Sequence, residues 1–444
     1  MKVDKLHPLQ NIVQLQKKGV PTGVYSICSA HRYVIQAGIR QAAENKSLLV
    51  IEATSNQVNQ FGGYTGMTPL GFREFVNKLV GEFGFPKDKL ILGGDHLGPN
   101  PWKNEPALQA MDKARVLVKQ YVLAGFTKIH LDASMLLGGD LAVDHGQLPP
   151  EMVAERAAVL CKAAEEGYEE LLQVNPGATA PVYIIGTEVP VPGGTEHEET
   201  LRVTRVEDFR ETVELSRQAF LAHGLSRAWE RVVGVVIQPG VEFGDHSIHE
   251  YDRAEAQEIS EALQEYDRLA FEGHSTDYQR ADSLKEMVED GVAILKVGPA
   301  LTFVMREAIF LLQYMENELL AYSQDLQASN VMEVLDTAML QDNQHWVRYY
   351  HGSAHDQSFA RKYSMSDRSR YYWTDPKVDD AVRRLIRNLR TVGIPLVLLS
   401  QFMPVQYWKI RNGQLKNDPE ELIIDRVFEF MADYQNATSV GTMR

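Results

Sequence analysis

The chain has 444 residues, 44% of them hydrophobic and 24% charged, with a formal net charge of -15. That length exceeds one ordinary domain, and the acidic balance argues against general nucleic-acid binding, which draws its affinity from Lys and Arg neutralising phosphates. No run of about 18 apolar residues suggests a membrane span, and two cysteines, Cys28 and Cys161, exclude a disulfide framework or a Cys-rich zinc module.

The opening segment MKVDKLHPLQNIVQLQKK carries neither a continuous apolar stretch nor a small-residue cleavage site, so the expected compartment is the cytoplasm. Short β-rich apolar runs then recur at 23–28, 47–53, 90–95, 128–132, 182–188, 232–238, 268–273 and 292–297, each followed by a segment with helical spacing. Eight βα units predict a closed (β/α)8 barrel, the TIM-barrel fold, over 1–310. The first strand runs into Cys28-Ser29-Ala30-His31 and not into a Gly-rich dinucleotide turn, which disfavours an open doubly wound sheet. No GxxxxGK[ST] occurs, so a kinase of the P-loop kind has no support. Beyond residue 302 the chain becomes helix-periodic and rich in aromatics and arginines, as in RYYHGSAHDQSFARKYSMSDRSRYYW. A mainly helical C-terminal extension, 311–444, packed on the barrel is expected; contact with substrate or another subunit is its functional alternative.

In such barrels the chemistry sits where strands run into βα loops. Here nearly every strand end carries a polar group whose burial costs several kcal/mol unless it is paired or binds a metal. His96 and His274 are the leading metal-ligand candidates, with Glu188 and Gln238 as oxygen ligands. Asp95, beside His96, is the natural proton carrier, and Glu188 a second base. His130 and Asp132 alternate along one strand, so both could face the interior and hold sugar hydroxyls or tune Asp95. Ser275, Lys296 and Gly298 occupy the loops that commonly bind phosphate. Ser29, His31, Glu52, Asn56 and Asp277 complete the set expected to touch substrate. Each has a bland alternative: a lone His as a hydrogen-bonded core residue, Asp95 as an orienting group, Lys296 as the partner of a neighbouring carboxylate.

The segments SICSAHRYVI, IEATSNQVNQFGGYTGMTP, LGGDHLGPN, GFTKIHLDASM, IGTEVPVPGG, VVIQPGVEF, EGHSTDYQ and ILKVGPALTF resemble the GatZ/KbaZ family of tagatose-1,6-bisphosphate aldolase proteins, with DRSRYYW and PLVLLSQFMP extending the match. The resemblance implies a barrel related to class II aldolases and a role as the accessory subunit of a catalytic aldolase. Some relatives are described as 4-epimerases of ketohexoses or their phosphates. More distantly, Gly94-Asp95-His96 is similar to the class II segment in which Asp transfers a proton and the next His binds metal, and Gly273-His274-Ser275 to its metal-binding His. The implied cofactor is a divalent ion, zinc, manganese, nickel or cobalt. Where class II aldolases place another His after the sixth strand, this chain has Gln238-Pro239-Gly240, with His246 and His249 nearby, so the third ligand is open. A fructose or tagatose substrate, free or phosphorylated, is expected, with a catalytic class II aldolase subunit or a homo-oligomer as the protein partner and neither nucleic acid nor membrane.

Overall fold

Aliphatic and β-branched runs form the eight strands of a closed parallel barrel: β1 (Val24–Cys28), β2 (Leu49–Thr54), β3 (Leu90–Leu97), β4 (Lys128–Leu131), β5 (Val182–Ile185), β6 (Val232–Ile237), β7 (Ala270–Gly273) and β8 (Val292–Val297). Strands are hydrogen-bonded in sequence order, and β1 pairs with β8 to close the ring. The computed structural model describes residues 6–141, 148–186, 201–321 and 325–439. The expected (β/α)8 architecture is therefore the observed one. A short antiparallel hairpin, Glu242–Phe243 with Ile248–His249, decorates the loop after β6.

The barrel interior is divided by polarity along its axis. Its lower half is an apolar plug in which Val24, Val50, Ile91, Val182, Val233 and Ala293 meet Leu9, Ile12 and Val13 of the helix Pro8–Lys17. That helix covers the lower mouth and starts on a cap in which the Leu9 amide donates to His7 Nδ1 at 3.2 Å and the His7 amide to Gln10 Oε1 at 3.1 Å. Burying each of its three apolar anchors contributes about 2 kcal/mol.

One pleat higher the same strands turn polar. Because inward positions repeat every second residue, Val50 is followed by Glu52, Ile91 by Gly93 and Asp95, Lys128 by His130, Ala270 by Glu272, and Ile294 by Lys296. Gly93 is opposite Glu52 on one side and Lys128 on the other. A Cβ on it would fall 2.6 Å from Glu52 Cγ, so glycine leaves the gap through which Glu52 reaches across β3 to Lys128.

Beyond β8 the helix Pro299–Leu320 runs past residue 310 without a break, followed among the described residues by six further α-helices ending in Pro419–Thr438. That last helix returns to the barrel wall: Thr438 O accepts from Gly23 N at 3.0 Å, and Tyr434 donates its hydroxyl proton to Thr276 O at 2.6 Å. No described helix is long and apolar enough to cross a membrane.

Candidate active site

At the C-terminal end of the barrel, His96, His130 and His274 stand with ring centroids 4.8 to 5.1 Å apart. Their ligand atoms and a carboxylate oxygen of Asp95 all lie within 4.8 Å of one another. Asp95 and His96 are neighbours in sequence and would ordinarily point to opposite faces. Between the pairs Gly94/Ile129 and Leu97/Leu131 the register of β3 and β4 shifts by one residue, and His96 adopts a positive φ of 45°. This bulge, with its left-handed residue, turns both side chains into the same cavity. Ser275, directly after His274, has a positive φ of 52°. Strain of about 1–2 kcal/mol at each position marks the site.

Each imidazole is held by a partner. His96 Nδ1 lies 2.9 Å from Asp132 Oδ2, and His274 Nε2 lies 2.9 Å from Glu272 Oε1. His130 Nδ1 lies 3.2 Å from the His96 amide nitrogen and 3.4 Å from Asp95 Oδ1. The buried Nε2 of His130 has no hydrogen-bond partner among the described residues, an arrangement that costs about 1–3 kcal/mol unless a ligand satisfies it. Burial depresses the pKa of His274 to about 3 and lowers that of His130, so both are neutral near pH 7, as metal ligands must be. His96 moves the other way, because Asp95 and Asp132 beside it outweigh its burial.

Under the histidines lies a floor of buried charge. Lys128 Nζ stands 2.5 Å from Glu52 Oε1 and 2.6 Å from Glu272 Oε2. Lys296 Nζ stands 2.9 Å from Glu52 Oε2, 3.8 Å from Glu272 Oε1 and in close contact with Asp95 Oδ1. Ser26 donates its hydroxyl proton to Glu52 at 2.5 Å. Burial pushes Asp95 up, but Lys296 and His96 beside it hold its carboxyl well below the usual carboxylate range. Unpaired, such charges would be untenable in this interior; alternating in sign, they stabilise one another.

Of the residues singled out from sequence, Asn56, Asp95, His96, His274, Ser275, Asp277, Lys296 and Gly298 line a cavity of about 90 Å³ at the barrel mouth. Ser29 and His31 line a second chamber of about 400 Å³ that shares Cys28, Gln57, Tyr64, Gly298 and Arg370 with it. His31 also caps the helix Arg32–Asn45. Glu52, His130 and Asp132 are buried around the cavity. Glu188 falls outside the described residues. Gln238 is not brought to the cluster: its Oε1 accepts from the amides of Gly240 and Val241 at 2.9 and 3.0 Å, so it shapes its own turn. His246 and His249 are absent from the candidate metal groups found among the described residues. The third imidazole is His130, which the inward alternation of β4 already placed at this level. Sequence reading missed Gln57, Tyr64, Phe243, Arg370 and Tyr371 as lining groups; the last two arrive from the C-terminal extension, and only chain packing could have located them.

The set of three imidazoles and a carboxylate, with ligand atoms within 4.8 Å of one another, fits a divalent transition metal. Comparison with known proteins bears on the family. A family model described as D-tagatose-1,6-bisphosphate aldolase subunit GatZ/KbaZ-like matches residues 9–439. The crystal structure of a probable tagatose 6 phosphate kinase from Sinorhizobium meliloti 1021 is 44% identical, with 94% of this chain and 100% of that chain covered and a TM-score of 0.84. A fructose-bisphosphate aldolase from Campylobacter jejuni is 15% identical over 87% of this chain and 94% of that chain, with a TM-score of 0.43.

Proposed function

We propose that this chain, which belongs to the GatZ/KbaZ-like family of D-tagatose-1,6-bisphosphate aldolase subunits, is a metal-dependent enzyme acting at the C3–C4 bond of ketohexoses or their phosphates. Its reaction on this reading is C4 epimerisation, interconverting the fructose and tagatose forms by retro-aldol cleavage and re-addition. The observation that carries the reading is the convergence of His96, His130 and His274 on the Asp95 carboxylate at the barrel mouth.

The C4 proton of a 2-ketose is not acidic, so C4 is inverted through an adjacent bond. Asp95, kept ionised by Lys296 and His96, accepts the C4 hydroxyl proton as the C3–C4 bond breaks, giving an aldehyde and the enediolate of the first three carbons. Turning the aldehyde before the enediolate adds back inverts C4, and Asp95 returns the proton. His96, His130 and His274 would hold a divalent ion, which supplies Lewis-acid stabilisation of the charge that develops on the ketose oxygens. Glu188 is assigned as a further ligand or second base. Aldol cleavage and epimerisation differ in whether the aldehyde is retained; the cavity walled by Tyr64, Arg370 and Tyr371 is consistent with retention.

A second reading, a non-catalytic accessory subunit of a class II aldolase, is favoured by the family's description as a subunit. The kinase activity in the name of the Sinorhizobium protein finds no P-loop sequence in this chain. The deciding experiment incubates the isolated protein, with and without divalent metal, with fructose 6-phosphate and with tagatose 1,6-bisphosphate. Tagatose 6-phosphate whose formation stops with EDTA and in Asp95→Asn establishes the epimerase, and triose phosphate establishes a self-sufficient aldolase. Neither product under any metal leaves the accessory role.

A further inference from the structure

The loops after β7 and β8 carry the donors that a barrel of this kind uses for phosphate, yet each already faces a carboxylate. Ser275 hydrogen-bonds the side chain of the buried Glu242. The amides of Gly298 and Ala300 both donate to Asp277 Oδ1, at 3.0 and 2.8 Å. The amino end of helix Pro299–Leu320 is thus capped by an anion of the chain itself. Lys296 is bound to Asp95, Glu52 and Glu272. A phosphate placed here would meet donors already bound to side-chain carboxyl groups, with like charge nearest at Lys296 and at the helix end.

Arg370 presents the opposite situation. It sits on the turn Arg368–Tyr371 of the C-terminal extension and lines both the cavity and the larger chamber beside it. Its Nη1 donates to the carbonyl oxygens of Ser366 and Asp367, at 2.5 and 3.0 Å, and its Nη2 to the Tyr371 hydroxyl at 3.0 Å. Among the described residues no carboxylate oxygen lies within 4.0 Å of it, and Asp367 and Asp277 act on it only from farther away. Those bonds to neutral oxygens fix the guanidinium while using only part of its five-donor fork. Tyr64, whose ring lies 4.8 Å from that of Tyr371, closes the same wall.

We propose that Arg370 is the anchor for the terminal phosphate of the substrate, and that the carboxylate-lined loops after β7 and β8 receive uncharged sugar hydroxyls instead. The inference rests on the ketose reading above and names its substrate class as a ketose phosphate. The sugar then lies with its phosphate toward the C-terminal extension and its reacting carbons toward the three histidines. Asp277 and Glu242 serve as acceptors for hydroxyl groups, a role a phosphate oxygen could not share.

Calorimetric titration of the full chain, with zinc added, tests this using fructose, fructose 6-phosphate and inorganic phosphate. The wild type is expected to bind fructose 6-phosphate at least about 10-fold more tightly than fructose. Arg370→Gln is expected to lose that preference and its affinity for inorganic phosphate while fructose binding stays within about 2-fold, and Arg370→Lys to recover part of it. A preference that survives in folded Arg370→Gln, or is absent from the wild type, overturns the proposal. Because the readout is binding, Arg370-dependent phosphate capture without turnover would leave this inference standing and sink the catalytic reading alone.

Discussion

Asp132 Oδ2 lies 2.9 Å from His96 Nδ1, and this contact fixes which face the imidazole turns to the cavity. With the Nδ1 proton donated to Asp132, Nε2 is left with its lone pair toward the cavity, 3.7 Å from Asp95 Oδ1 and available to a metal ion. Asp132→Asn keeps the shape but removes the negative charge that orients and polarises the ring. Divalent-metal affinity is expected to fall by about 10- to 100-fold with the fold retained. Metal titration of the two proteins checks it, and equal affinities would show that Asp132 only fills space.

His130 replaces Gln238 in the candidate ligand set. His96→Ala, His130→Ala and His274→Ala are each expected to lower the bound metal well below the wild-type stoichiometry, read by elemental analysis after dialysis. Gln238→Ala is expected to keep its metal, because the Gln238 oxygen is occupied by the amides of Gly240 and Val241. Full metal content in His130→Ala would return the third position to a residue outside the cluster.

The charged floor predicts stability effects unlike those of surface ion pairs. Glu52 touches Lys128 and Lys296 with no exposure of its own, so Glu52→Gln leaves buried ammonium groups under-compensated. A loss of about 3–5 kcal/mol is expected. Gly93→Ala reaches the same network sterically, through a Cβ 2.6 Å from Glu52 Cγ, and is expected to be destabilising by about 1–3 kcal/mol. Denaturant midpoints that match the wild type would mean that the layer relaxes freely.

Burial lowers the pKa of His7 to about 4 from 6.5. A neutral folded His whose unfolded form takes up a proton near 6.5 contributes stability that is fully present above that pH and is lost as pH falls from 6.5 toward 4. That shift corresponds to about 3 kcal/mol. His7→Asn retains a cap acceptor without the titration, so its unfolding free energy is expected to fall less over this window. Part of the acid loss remains, because burial also takes His31 down to about 3. Identical pH slopes for the two proteins would remove His7 from the account.

Much of the site was legible in the chain because a barrel strand obeys a period of two. Lys128, His130 and Asp132, or Glu272 and His274, are polar residues at alternating positions where an apolar core is expected, and such residues persist in an interior only when paired or ligated. The joint recruitment of Asp95 and His96 was not legible. It depends on a one-residue bulge against β4 and a left-handed His96, neither of which has a local sequence signature.

The sequence by itself determined the eight strands, the barrel and the level at which its interior turns from apolar to charged, since alternation and turn chemistry are local properties of the chain. Only the tertiary structure decided which imidazoles converge, that Lys296 is committed to Asp95, Glu52 and Glu272, and that Arg370 arrives at the cavity from more than seventy residues beyond the last strand. These are pairings between distant segments, set by strand register, burial and the compensation of charge, and no window of neighbouring residues contains them.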